Sequence, residues 1–146
     1  MILSYDAGMQ LTKNFKLGEF MVTQHPHALE NVVLRHDEIL KCYYFCVFCL
    51  QPTRDRWGPL RLTSGFRTMY LNQLVGGSDS SQHCWCEAVD FVPEEANAEQ
   101  VWTWMKEALC WPGELILYPD ENRIHVAMPH PLVHADCFIK RTRVQA

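Results

Sequence analysis

Three residues in this sequence combine metal-ligand chemistry with positions where a polar side chain needs a partner. His83 follows a polar loop, while Asp90 and His125 each lie between two apolar residues of a predicted strand. A buried carboxylate or imidazole is costly unless it is paired or metal-bound. Two imidazoles and one carboxylate leave a fourth position on zinc open for water, as in catalytic zinc sites. The spacing therefore indicates a metal site, although a strand histidine such as His125 also fits a purely structural role.

The composition is that of a single globular domain. The chain has 146 residues, 48% of them hydrophobic, which is enough to bury a core without covalent staples. Its net charge of −4 argues against a dedicated nucleic-acid-binding protein, which needs a basic surface. No stretch approaches the roughly 20 apolar residues of a membrane span, and the N-terminal segment lacks a signal-peptide pattern. We therefore expect a soluble protein without a classical export signal.

The cysteine pattern indicates reduced, buried thiols. Seven cysteines are an odd number, and several lie inside apolar runs, which favours synthesis in a reducing cytosol over a disulfide framework. Cys42, Cys46 and Cys49 match the cluster-binding triad of radical S-adenosylmethionine enzymes in spacing. In an apolar helix, however, these positions fall on one stripe facing the core. Core cysteine is the favoured interpretation, since a cluster needs a loop that wraps it.

The helices and strands predicted around the three ligands indicate an α+β fold. Helical periodicity covers residues 28–51, ended by Pro52, with a short helix at 67–75 and an amphipathic helix at 94–109. Strands are predicted at residues 60–63, 88–92, 114–118 and 123–128, the last two joined as a hairpin. The simplest arrangement packs helices on one face of a small antiparallel sheet and leaves the zinc site on the open face.

Three regions are expected along the chain. Residues 1–24 are predicted to be an N-terminal arm whose apolar side chains dock on the core. Residues 25–130 are predicted to form the domain that carries the site. Residues 131–146 are predicted to be a basic, solvated C-terminal tail.

Ordered motifs over residues 59–128 resemble one known family. The segment from Ser64 to Arg67, Ser-Gly-Phe-Arg, is similar to the family's Ser-Gly-Tyr-Arg motif. Ser81, His83 and Asp90 follow its Ser-x-His-x6-Asp pattern, and a distant histidine in the closing strand completes it. This part of the chain resembles the zinc D-Ala-D-Ala carboxypeptidase and L-alanyl-D-glutamate endopeptidase family, which includes many phage endolysins.

The resemblance implies a role for each matching residue. His83, Asp90 and His125 would be the zinc ligands. Arg67 would bind substrate or steady the transition state, because a guanidinium suits a carboxylate or oxyanion; a structural link between loop and sheet is the alternative. Ser81 would bond a substrate carboxylate, or simply cap its turn.

The proton acceptor departs from the family pattern. Family members commonly place a Glu or Asp three residues before the last histidine, where this chain has Asn122, and an amide cannot take a proton from water. Glu121 is the preferred candidate, followed by Asp120 in the same turn, and Glu114 is a distant third; the alternative, and the favoured account of Glu121, is a solvated carboxylate of the turn.

Two other departures concern neighbours of the ligands. The family's glycine between the first two ligands is Cys86 here, and its usual aromatic residue two before the last histidine is Arg123. Cys84 and Cys86 raise a rival His/Cys zinc site, which would leave Asp90 unpaired.

The resulting hypothesis is a zinc-dependent peptidase that hydrolyses amide bonds in peptidoglycan stem peptides. We expect a monomer with no nucleic-acid or membrane partner. It would be of phage origin, made in the host cytoplasm, and would act on the cell wall during lysis or from a virion. The alternative is a binding module that keeps the fold, and perhaps zinc, without turnover.

Overall fold

The computed structural model describes residues 2–4, 6–30, 32–109, 113–129 and 141–145. Its strands are β1 (Ile2–Ser4), β2 (Gln10–Thr12), β3 (Phe15–Lys16), β4 (Val33–Arg35), β5 (Leu60–Ser64), β6 (Ala88–Pro93), β7 (Glu114–Tyr118), β8 (Arg123–Ala127) and β9 (Arg141–Val144). Its α-helices are α1 (His36–Phe45), α2 (Gln51–Trp57), α3 (Met69–Leu74) and α4 (Ala98–Ala108). Among the residues that the structure describes, no helix is long and apolar enough to cross a membrane.

The main sheet has the strand order β5-β6-β8-β7-β9, and two small strand pairs, β1 with β4 and β2 with β3, lie outside it. The predicted α+β class is confirmed. The first four strands of the main sheet are antiparallel as predicted, whereas β9 runs parallel to β7 and makes the sheet mixed. The sequence did not predict β9, because residues 141–144 belong to the segment expected to be a solvated tail. Residues 131–140 of that segment lie outside the described residues.

One face of the sheet is buried against α1 and α4. The alternating apolar positions of β7 and β8 point into this core, where Val101 and Met105 of α4 meet them. Phe15, Leu17 and Phe20 of the predicted N-terminal arm are buried in the same core, so this part of the arm is docked as expected.

The helix predicted over residues 28–51 was wrong at its two ends. Residues 33–35 form β4, so helix α1 begins only at His36. Pro52 does not end the helix, because the chain passes through a π-helical turn at Cys46–Leu50 and continues as α2. In that turn the Gln51 N–H donates to the carbonyl of Cys46, five residues back. The wider turn places Pro52 in the first turn of α2, where its missing N–H costs little.

Cys42, Cys46 and Cys49 are free and fully buried in the core. Burial raises the pKa of the Cys46 and Cys49 thiols well above the ordinary range, which disfavours the thiolate that a cluster would need. The interpretation as core cysteines is confirmed.

Candidate metal centre

Strand register brings Asp90 and His125 together on the face of the sheet opposite the core, here called the site face. Asp90 of β6 lies directly across from His125 of β8. On the other side of Asp90, the pairing of β5 with β6 shifts between Leu62 and Ser64, so that Ser64 also lies opposite Asp90. Such a bulge turns a side chain to the other face of a sheet. Ser64 therefore joins the site face, while Leu62 remains in the core.

His83 reaches the same place from a tight turn. The 3-10 turn Gln82–Trp85 is capped by Ser81, whose hydroxyl accepts a hydrogen bond from the His83 N–H at 3.3 Å. Its end is fixed by Cys86, which adopts a left-handed conformation with φ of 57°. The backbone N–H of Arg67 donates to the His83 carbonyl at 3.0 Å. These contacts hold the turn against the loop that follows β5.

The three predicted ligands converge on a common point. The His125 Nδ1 atom lies 2.7 Å from Asp90 Oδ1, and the His83 Nε2 atom lies 3.4 Å from the same oxygen. One ligand atom from each residue lies within 4.8 Å of the others. His83 and Asp90 are buried, and His125 is partly buried.

Each candidate ligand has a second polar atom, here called its outer atom, which does not face the shared point. A different partner holds the outer atom of each ligand. His83 Nδ1 lies 2.8 Å from the Gly65 carbonyl, which accepts its proton and leaves Nε2 as the donor to a metal. His125 Nε2 lies 3.2 Å from a Glu114 oxygen, which leaves Nδ1. Arg123 donates to Asp90 Oδ2 at 2.9 Å, which leaves Oδ1.

Partners of this kind orient the ligands of zinc sites, typically a carbonyl or carboxylate on the far nitrogen of each histidine. The two nitrogens and one oxygen left over are the donor set of a catalytic zinc site. The residues present therefore fit a zinc ion.

The metal-free centre holds a proton that a metal must displace. Burial lowers the pKa of His125, but its contacts with Asp90 and Glu114 outweigh burial and raise it to about 9. Burial also favours neutral Asp90, yet the hydrogen bonds from His125 and His83 hold the pKa of this carboxyl far below its usual range. The pKa of His83 is lowered, mainly by burial. Near neutral pH the centre thus contains ionised Asp90 beside protonated His125.

A cavity of about 570 Å³ opens onto these residues. Three arginines line it, namely Arg67 from the loop after β5, Arg123 from β8 and Arg143 from β9. Asp90 and Glu114 are the carboxylates in its lining as far as the described residues show. A cavity with this balance of charge suits a ligand that carries negative charge.

Arg67 makes the structural link that the sequence offered as one alternative, while its role in substrate binding stays a prediction. Its Nε atom donates to Ser64 at 3.2 Å and its Nη1 atom donates to Asn72 at 3.3 Å, so it links the loop to the sheet and to α3. It also lines the cavity. Ser81 likewise caps its turn and lines the cavity.

Glu121 and Asp120, the two preferred proton acceptors, lie outside the cavity lining, whereas Glu114 is part of it. Glu121 binds the Nε atom of Arg123 at 2.6 Å, and its side chain is 59% exposed. Asp120 is exposed in the same 3-10 turn, Pro119–Glu121. Glu114, the third candidate, contacts His125 on the ring nitrogen that faces away from Asp90. The catalytic role of Glu121 or Asp120 stays a prediction.

Asn122 has a structural role that explains its presence. It adopts a left-handed conformation with φ of 48° at the end of the hairpin turn. Its side-chain oxygen accepts from the Ala98 N–H at 2.8 Å, and its amide donates to the Pro93 carbonyl at 3.4 Å. Asn tolerates this backbone better than most residues. The side chain ties the hairpin to the start of α4 and the end of β6.

The rival His/Cys site finds no support among the described residues, where His83, Asp90 and His125 are the one group of three or more His, Cys, Asp or Glu side chains with converging ligand atoms. The Cys86 thiol lies 3.7 Å from Glu38, near α1. The hydrogen bond with Cys42 and burial raise the pKa of Cys86 far above its ordinary value.

The α+β fold and this donor set define the class of a metallopeptidase-like zinc site. A family model described as Peptidase M15 matches residues 13–127, and the chain belongs to that family. The resemblance to the zinc D-Ala-D-Ala carboxypeptidase family is thereby confirmed. A comparison with curated proteins finds no match. Membership implies a metal-dependent peptidase, and the His–Asp–His cluster is the place where its metal can bind.

Proposed function

We propose that this protein is a zinc-dependent peptidase that hydrolyses amide bonds in the stem peptides of peptidoglycan. The observation that supports this most is the convergence of His83, Asp90 and His125, each held by a partner on its outer atom, at one wall of a basic cavity. Membership of the Peptidase M15 family supports the reaction class. Resemblance to phage endolysins supports a phage origin and action on the wall during lysis or from a virion.

The chain's own residues supply binding, orientation and proton transfer. His83, Asp90 and His125 would hold the zinc ion, which when bound would supply a Lewis acid able to lower the pKa of a water and polarise a carbonyl. Arg67, fixed by Ser64 and Asn72, presents its guanidinium to a substrate carboxylate or to the developing oxyanion. Arg123 keeps Asp90 in the orientation that offers one oxygen to the metal.

Glu121 is proposed to take the proton from the attacking water, with Asp120 as the second candidate. Arg123 joins Glu121 to Asp90, which holds the Glu121 carboxylate at the edge of the centre. To act, this carboxylate must exchange its contact with Arg123 for one with water. Glu114 is better placed to orient His125, since the imidazole ring lies between Glu114 and Asp90.

A zinc-binding module without turnover is the second candidate function. It is favoured by the absence, among the described residues that line the cavity, of a carboxylate other than Asp90 and Glu114. The orientation of Asn122 away from the centre favours it as well.

The decisive experiment measures zinc and cleavage together. The purified protein is assayed for bound metal and incubated with isolated peptidoglycan of several wall chemotypes, and new free amines are counted. His125→Ala removes a ligand, and His36→Ala is the matched control, since His36 is exposed on α1. One zinc per chain and amine release in the wild type and the His36 variant, both lost in the His125 variant, support the peptidase. Zinc without cleavage of any chemotype supports the binding module.

A further inference from the structure

Strand register places Arg143 in the same row of the site face as the metal ligands. Asp90 lies opposite His125, His125 lies opposite Ile116 of β7, and Ile116 lies opposite Arg143 of β9. Side chains of directly opposed residues point to the same face of a sheet. Strands lie about 4.8 Å apart, so the backbone of Arg143 is roughly 10 Å from that of His125. An arginine side chain and a small ligand can together bridge that distance between Arg143 and His125.

Arg143 differs from the other two cavity arginines in its contacts. Arg67 donates to Ser64 and Asn72. Arg123 binds Asp90 and Glu121, and its guanidinium lies 3.8 Å from the Tyr118 ring centre. Within the described part of the chain, no hydrogen bond or ion pair engages the Arg143 side chain, which is exposed and lines the cavity. A guanidinium in this state is available to a carboxylate of the substrate.

A different arginine lies near each end of this row of residues. Arg67 is bound to Ser64 at the β5 edge, while Arg143 stands on β9 at the opposite edge. The candidate metal position lies between them, nearer to β5. A substrate that spans the row would have one guanidinium on each side of the residues that would hold the metal.

We infer that Arg143 forms a second anion subsite, which selects stem peptides with a free carboxylate on the β9 side of the cleaved amide. This inference rests on the proposed function and names the substrate class for the same site. The carboxylate would lie one or two residues from the cleaved bond, since an extended residue spans about 3.5 Å. Peptides with a carboxamide there would bind less well, because the charge-assisted hydrogen bonds would be lost.

The first arm of the test compares two synthetic stem peptides that differ only in a carboxylate or a carboxamide at that position. Arg143→Gln should raise KM for the carboxylate peptide about tenfold to a hundredfold, the range for hydrogen bonds to charged groups. Its KM for the carboxamide peptide and its kcat should stay near wild type. Arg61→Gln is the matched control, since Arg61 is an exposed arginine of the other edge strand, paired with Glu94. Arg143→Lys should recover part of the preference.

The second arm needs no turnover. Calorimetry measures binding of glutarate, with two carboxylates, and of butyrate, with one, to the zinc-loaded protein. Wild type and the Arg61 variant should bind glutarate at least about tenfold more tightly than butyrate, and Arg143→Gln should lose that preference. Glutarate preference without cleavage of either peptide leaves the subsite standing and overturns the peptidase. Unchanged glutarate binding and unchanged KM in a folded Arg143→Gln protein overturn the subsite.

Discussion

At the residue scale, each candidate ligand of the centre is paired with a second residue that orients it. His83, Asp90 and His125 each have two polar atoms, and a partner outside the cluster binds one of them. The remaining atom is thereby aimed at the shared point. Sequence motifs predicted the three candidate ligands that the structure brings together, since their types and spacing follow a family pattern. They did not predict that Glu114 and Arg123 hold two of them, because those contacts cross between strands.

Glu114→Gln tests the orientation of His125. The amide oxygen can still accept from His125 Nε2, but the negative charge that strengthens this bond is lost. We expect zinc affinity to fall about tenfold to a hundredfold, as measured by competition with a chromophoric chelator. Glu107→Gln, an exposed change on α4, is the control. Unchanged zinc affinity combined with lost turnover would instead make Glu114 the proton acceptor.

Glu121→Gln tests the proposed proton acceptor. The change keeps the size of the side chain but removes its basicity, so kcat on a stem peptide should fall about a hundredfold or more. Zinc content should remain at the wild-type level, because Glu121 contacts Arg123 and none of the ligands. Asp120→Asn, in the same turn, should have a small effect. The reverse order of the two variants would assign the role to Asp120, and wild-type rates in the two would exclude this turn.

At the element scale, local sequence patterns predicted the helices and strands that depend mainly on local interactions. The β7–β8 hairpin, β6 and helix α4 follow from alternation and helical periodicity. Features that depend on distant contacts escaped prediction. The bulge before Ser64 and the pairing of β9 with β7 depend on contacts between strands distant in sequence, and the π-helical turn before Pro52 was not predicted either. The bulge and β9 bear directly on the centre, since they bring Ser64 and Arg143 to the site face.

Asn122 connects the hairpin to α4, and its replacement should lower stability. Asn122→Ala loses the bond to the Ala98 N–H, the bond to Pro93, and tolerance of the left-handed backbone. The free energy of unfolding should fall by about 1–3 kcal/mol in urea denaturation. Asn122→Asp keeps an acceptor at the start of α4 and should lose less. Equal stability of the alanine variant and the wild type would contradict this role.

At the scale of the whole molecule, the charge distribution distinguishes the cavity from the rest of the surface. The chain has a net charge of −4, yet the described cavity contains three arginines and two carboxylates. Composition alone could not locate this basic cavity, since its three arginines lie far apart in the sequence. The three candidate metal ligands are likewise distant in sequence, so a metal bound between them should stabilise the folded state of the entire domain.

Binding of zinc should therefore raise the thermal midpoint, and by an amount that grows with pH. In the metal-free protein His125 has a pKa of about 9, above its ordinary value of 6.5. Its stabilising contribution is complete below pH 6.5 and is lost as pH rises through 9. Zinc requires the neutral imidazole, so its affinity increases over the same interval as the competing proton leaves. The lowered pKa of Asp90 adds no change there, because its contribution is lost only in acid.

The measurement is a set of thermal melts between pH 6.5 and 9 with a chelator or with excess zinc. A ligand at a hundred times its Kd stabilises the folded state by about 2.7 kcal/mol, so the difference between the two melts should be readily detected. The difference should widen with pH in the wild type and in His36→Ala, and should disappear in His83→Ala and His125→Ala. A zinc effect that stays constant with pH would show that His125 does not exchange its proton for the metal. A zinc effect that persists in the two ligand variants would place the metal elsewhere in the molecule.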